Sequence, residues 1–225
     1  MSQQRKSPSA ATSAVATSAA LASVVSNAIS GGERSPAANA IDEQAILDAT
    51  YELLLAIGMS RITMADIARK AAISRATMYR RWPNVQAVIG ALMTREFGPL
   101  AFDLALPIDS PVRSGLVDAV VSMVGTVREH PLLRKIIEVD PEILLPYLLE
   151  RRGTTTNLQL TLLEDAIDAG IADRSIRPAD PAVLAQAVML TAWSFVLTGP
   201  VLVGGGDTGH LDVELAELLE RYLKP

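Results

Sequence analysis

Apolar positions in this 225-residue chain recur at three- and four-residue intervals, the spacing of one helix face, and no stretch alternates with period two long enough to argue a sheet. The first stripe is Ile46, Leu47, Thr50, Leu53, Leu54 and Ile57, which predicts a helix from Asp42, stapled by Ile41 and Ile46, to a left-handed stop at Gly58. Two short helices follow. One starts at Thr63, with Asp66 in the N3 place of a capping box and Ile62 and Ile67 as its staple. The other starts at Ser74, staples Ile73 to Met78 and stops after Trp82, before Pro83. Asn84 caps a fourth helix running to about Phe97, where Gly98 and Pro99 break or kink it. From Ser110 onward, breaks at proline and glycine leave helices at about 110 to 129, 132 to 138, 141 to 152, 154 to 170, 179 to 198 and 211 to 223. The expected fold class is all-α.

Two of the later helices lack a polar face, Ala119 to Val127 and Ala182 to Leu197, so each is expected to be buried all round by its own domain, with a partner chain as an addition. The second run has the length of a membrane span, since no charge occurs from Ala182 to Gly206. Gly199-Pro200, the polar Gln186, Thr191, Ser194 and Thr198, and the lack of a flanking basic cluster argue for a buried core or dimer helix and no membrane. The last helix carries Leu211, Leu215, Leu218 and Tyr222 on one stripe, with Glu214, Glu217 and Glu220 outside.

Charge changes the picture only locally. The chain is acidic, at −5, yet between Arg61 and Arg81 the basic residues are Arg61, Arg69, Lys70, Arg75, Arg80 and Arg81 against a lone Asp66. On the helix after Ser74, Met78 and Trp82 take the inward stripe and leave Arg75, Ala76, Thr77, Tyr79, Arg80 and Arg81 on the others. A small positive two-helix unit whose second helix exposes short and basic side chains suits the major groove of duplex DNA. The rest of an acidic surface repels DNA, which makes the patch more informative.

The run Thr63 to Trp82, with Asp66-Ile67-Ala68, Ser74, Thr77, Tyr79 and Trp82, resembles the helix-turn-helix of tetracycline-repressor (TetR) family regulators. The resemblance takes in the preceding helix and spans about Ile41 to Phe97; beyond it, only length and helical character match. It implies a three-helix DNA-binding domain at 41–97 with its motif at 63–82, and a larger C-terminal helical bundle at 98–225 for ligand binding and dimerisation. It also implies a homodimer on double-stranded DNA with a palindromic operator, most often as a repressor. Thr63, Thr77, Tyr79 and Arg81 are then the phosphate candidates, and Arg75, Ala76 and Arg80 the base-reading ones. A pocket for a small apolar effector is implied as well, with Phe102, Met123, Thr126, Met189 and Trp193 as candidate lining, although plain core explains any one of them. Two positions depart from the family pattern. Ala72 stands where glycine makes the turn, at a left-handed cost, and Val85 stands where a lysine meets a phosphate.

Other chemistry finds little support. There is no Cys, which excludes disulfides and thiolate metal sites and fits a reducing cytoplasm. His130 and His210 lie far apart beside helix ends, VGGGDTGH at 203 to 210 follows a helix rather than a strand, and Glu164, Asp165 and Asp168 read as a solvated face. No enzyme, cofactor or metal is expected. Residues 1–40, rich in Ser, Ala and Thr, read as a disordered tail. The remaining alternative is a helical protein-interaction adaptor without sequence-specific DNA binding.

Overall fold

Along helix α1 (Glu43–Ile57), Ile46, Leu47, Ala49, Thr50 and Leu54 face inward, while Ile57 at its end is exposed. The hydroxyl of buried Thr50 donates to the Ile46 carbonyl oxygen at 2.8 Å, so it enters the core with its polar atom satisfied. The computed structural model describes residues 43–100, 111–145, 153–204 and 206–225. The expected tail, the Asp42 start with its Ile41 staple, Phe102 and most of the helix expected at 141 to 152 lie outside the described residues.

Gly58 ends α1 at φ +83°, the left-handed stop its position predicted. Helices α2 (Met64–Lys70) and α3 (Arg75–Arg81) begin at Thr63 and Ser74, whose hydroxyls accept from the amides of Asp66 and Thr77 at 3.2 and 3.0 Å. Helix α4 (Val85–Phe97) begins at Asn84, which accepts from the Ala87 amide at 2.9 Å. Ile67, Ala68, Met78 and Trp82 are buried between α2 and α3, with Met78 fully enclosed.

The C-terminal part comprises α5 (Val112–Glu129), α6 (Pro131–Val139), a 3-10 turn (Pro141–Leu144), α7 (Thr154–Ala172), α8 (Pro181–Leu197), a short α9 (Gly199–Leu202) and α10 (Gly209–Leu223). Every regular element among the described residues is a helix. The core forms where α5, α7, α8 and α10 meet, through Leu116, Val124, Ile167, Leu184, Val188 and Leu215. Each such side chain contributes roughly 1.5–3 kcal/mol by leaving water. Arg128 on α5 is buried and makes a two-pronged pair with Asp212 on α10, at 2.9 and 2.8 Å.

Three expectations need correction. Neither apolar helix is enclosed on all sides by its own chain: Ser122 and Thr126 on α5 are exposed or partly so, as are Val183 and Leu190 on α8, Leu190 at 73%. The last helix buries Leu215, Leu219 and Leu223, whereas Leu218 and Tyr222 of the expected stripe remain exposed. Apolar residues at 218, 219, 222 and 223 offer two adjacent stripes, and packing against α5 and α8 selects one. The stretch expected to start a helix at 141 opens instead as a 3-10 turn, in which the Ile143 amide donates back three residues to the Asp140 carbonyl at 3.0 Å. No described helix is long and apolar enough to cross a membrane.

Candidate nucleic-acid interface

Two caps and one strained turn set the angle between α2 and α3. At Thr63 the capping box is closed on both sides: its hydroxyl accepts from the Asp66 amide at 3.2 Å and its own amide donates to Asp66 Oδ2 at 3.2 Å, while the hydroxyl also donates to that oxygen at 2.6 Å. The Thr63 hydroxyl above all, with its amide and the Arg69 guanidinium, holds the Asp66 carboxyl below the usual carboxylate range. The joint itself has the two bonds of a Schellman ending. The Ile73 amide donates to the Ala68 carbonyl at 2.9 Å and the Ala72 amide to that of Arg69 at 3.2 Å. Such an ending needs a left-handed residue between, and Ala72 supplies it at φ +54°. The alanine therefore adopts the left-handed turn that glycine makes without strain, and bears the cost of its Cβ.

With Met78 and Trp82 turned inward, Arg75, Ala76, Tyr79 and Arg80 share the outer face of α3, and Tyr79 is 56% exposed. Arg75 and Arg80 make no hydrogen bond or ion pair among the described residues. Thr77 is half-buried at the edge of that face, its hydroxyl 2.9 Å from that of its own cap, Ser74. The positive patch is narrower than its sequence suggests. Arg69 pairs with Asp66 at 2.6 Å, Lys70 with Glu52 at 2.6 Å, and Arg81 with Glu43. The last two acids come from α1, 18 and 38 residues away in the chain, so no local charge count reveals them. The Arg81 guanidinium also lies 5.4 Å from the centre of the Trp82 ring. Arg75 and Arg80 thus carry the uncompensated charge at the centre of the exposed ridge.

Of the candidate pocket residues, Met123 on α5 and Met189 on α8 are buried, Trp193 is half-buried, and Thr126 lies toward the outside with its hydroxyl on the Ser122 carbonyl at 3.0 Å. Gln159 on α7 escaped sequence reasoning. It is buried, and among the described residues its amide nitrogen donates only to the Met123 sulfur, at 3.6 Å. Nothing in its polar flank, TTTNLQ, signals an inward glutamine.

An all-helical chain with a capped helix-turn-helix and an exposed arginine face has the build of a DNA-binding transcriptional regulator. Residues 46–92 match the family of bacterial regulatory proteins of the tetR type. That stretch is a TetR-type DNA-binding domain, and the chain is a transcriptional regulator, not an enzyme. It is 29% identical over 178 residues to the HTH-type transcriptional regulator Rv2250c of Mycobacterium tuberculosis, across 79% of this chain and 92% of that one. Its fold is also that of SmeT, the repressor of the Stenotrophomonas maltophilia multidrug efflux pump SmeDEF (19% identity, TM-score 0.64, 82% and 91% of the two chains). The regulator FadR of Bacillus subtilis, solved with stearoyl-CoA, shares it too (16% identity, TM-score 0.61, 81% and 100%).

Proposed function

We propose that the chain is a repressor which binds a palindromic operator as a homodimer and is released by a small apolar ligand. The carrying observation is the α3 ridge, where Arg75 and Arg80 stand exposed without an acidic partner on a rigidly capped helix. Arginine to guanine is the commonest specific base contact, so these two read bases, with Ala76 between them leaving room. Thr63, Thr77, Tyr79 and Arg81 line the flanks toward the phosphates. The division of labour falls near residue 97, DNA reading before it and ligand binding and pairing after it. Such a protein works where the chromosome is, in the cytoplasm.

A single α3 reads few bases, and a two-fold dimer doubles the site at half-sites about 34 Å apart. The exposed apolar residues of α8 to α10 support that pairing: Val183, Leu190, Val201 and Leu202, with Val213, Leu218 and Tyr222. Met123, which meets the buried Gln159 amide, and Met189 and Trp193 of the same core suit an apolar effector with one polar group. FadR's stearoyl-CoA complex supports the apolar assignment by analogy of fold. Effector binding favours a dimer geometry whose half-site spacing no longer fits, which requires different affinity for the two shapes.

The test is to sequence the genomic fragments that the purified chain retains at a stated salt concentration. Enrichment of a two-fold symmetric sequence supports the proposal, and uniform retention without a motif refutes it.

A further inference from the structure

Helix α6 is fastened at both ends to the DNA-reading part of the chain. At its start, His130 caps it by accepting from the Leu132 amide at 3.3 Å, while the imidazole lies 4.7 Å from the Phe97 ring and 3.6 Å from the Glu96 carboxylate, both at the end of α4. At its far end stands Asp140, 2% exposed and 80 residues distant in sequence from Ser60, one of its partners. Asp140 Oδ2 accepts from the Met59 amide and, at 3.3 Å, from the Ser60 amide, and Oδ1 accepts from the Ser60 hydroxyl. Both carboxylate oxygens are thus occupied by the corner between α1 and α2. That corner leads within three residues to Thr63, the cap of α2.

The corner is closed sterically as well. A Cβ on Gly58 would stand 2.6 Å from Asp140 Oδ2 and 2.8 Å from Val139 Cγ1, so only glycine lets the two segments meet this closely. The attachment is separate from the covalent route through α4. Two fixed points at opposite ends of one short helix leave the helix-turn-helix little freedom to tilt.

We infer that Asp140 is a positioning residue for operator binding: by gripping the Met59–Ser60 corner it sets the angle at which α3 is presented, and so the half-site spacing the dimer accepts. It touches no DNA itself. The inference rests on the proposed reading of the chain as a dimeric operator binder. Burial pushes the Asp140 carboxyl up, but the Ser60 hydroxyl, the Met59 and Ser60 amides and the Arg61 charge outweigh it and keep the acid ionised, as acceptor-only bonding requires.

The experiment compares the unaltered full chain with Asp140→Asn and Ser60→Ala. The first substitution removes the charge and leaves one accepting oxygen where the carboxylate offers two, and the second removes one donor while leaving the acid in place. Each is titrated against an isolated half-site and against operators whose two halves are moved by one to three base pairs. The expected result is single half-site affinity within about twofold of the unaltered chain, full-operator affinity lower by about tenfold for Asp140→Asn and about threefold for Ser60→Ala, and a flattened spacing preference. Unchanged spacing preference in both variants overturns the inference and leaves the proposed function standing. Equal losses on half-site and operator also overturn it, since they show a role in folding alone. Should Asp140→Asn not fold, Ser60→Ala decides in the same terms. Failure of the unaltered chain to select any operator overturns the proposed function and this inference together.

Discussion

Glu43, in the first turn of α1, holds the guanidinium of Arg81 against the end of α3. In the proposed binding mode a carboxylate thus occupies the charge that a DNA phosphate would use, and binding displaces it. Glu43→Gln is expected to strengthen binding to every sequence alike, by about 0.2–1 kcal/mol, the usual worth of an exposed pair. Equilibrium titrations on specific and random duplexes measure this. Weaker binding, or a gain confined to the operator, would show that Glu43 orients Arg81 rather than restrains it.

Ala72 holds a left-handed conformation at φ +54° in the joint between α2 and α3. Ala72→Gly should raise stability by about 1 kcal/mol, because the turn stays as it is and the Cβ repulsion goes. Denaturant midpoints at constant m-value test this. A loss of stability would mean that the unfolded chain's gain in freedom exceeds the strain relieved.

The local devices of this fold were legible in the sequence, whereas contacts across it were not. Thr63, Ser74, Asn84 and Gly58 announce their caps and stop because the hydrogen bonds involved span only a few residues. The exposure of Arg75 and Tyr79 follows from the inward pull of Met78 and Trp82, a relation within one helix. By contrast, Glu52 and Glu43 neutralise Lys70 and Arg81 from another helix, and Asp140 reaches the Met59 corner from 81 residues away. Asp140 precedes a proline and reads as an ordinary helix break. In α10 the choice between Leu218 and Leu219 was open because adjacent apolar stripes satisfy the same periodicity.

Burial pushes the His130 imidazole below its ordinary value of 6.5, with the Glu96 charge pulling the other way. Between the folded and unfolded values the unfolded chain binds more protons than the folded one, so stability is full above pH 6.5 and falls as pH drops through that window. Protonation at Nδ1 also removes the acceptor that caps α6. His130→Asn keeps a capping oxygen without a titrating ring, and melting temperatures from about pH 7.5 to about pH 5 should then decline less steeply. An identical decline in both proteins would assign it to other groups.

Leu190 is 73% exposed on a helix with no charge, a position that only a second chain covers in the proposed dimer. Leu190→Glu should leave the intrachain core intact and give a folded monomer in sedimentation, with operator affinity lost and half-site affinity kept. A dimer that survives this change would place the pairing surface elsewhere.

The most direct test of the account is competition binding of the unaltered chain and an Arg75→Ala, Arg80→Ala variant to the selected operator and to random duplex, at one salt concentration. The unaltered chain should prefer the operator by about a thousandfold or more, and each arginine should account for about 1–3 kcal/mol of that preference at one base position. The double variant should retain its random-sequence binding apart from the two charges lost and keep little discrimination. Undiminished operator preference in that variant would contradict the claim that α3 reads DNA through these arginines.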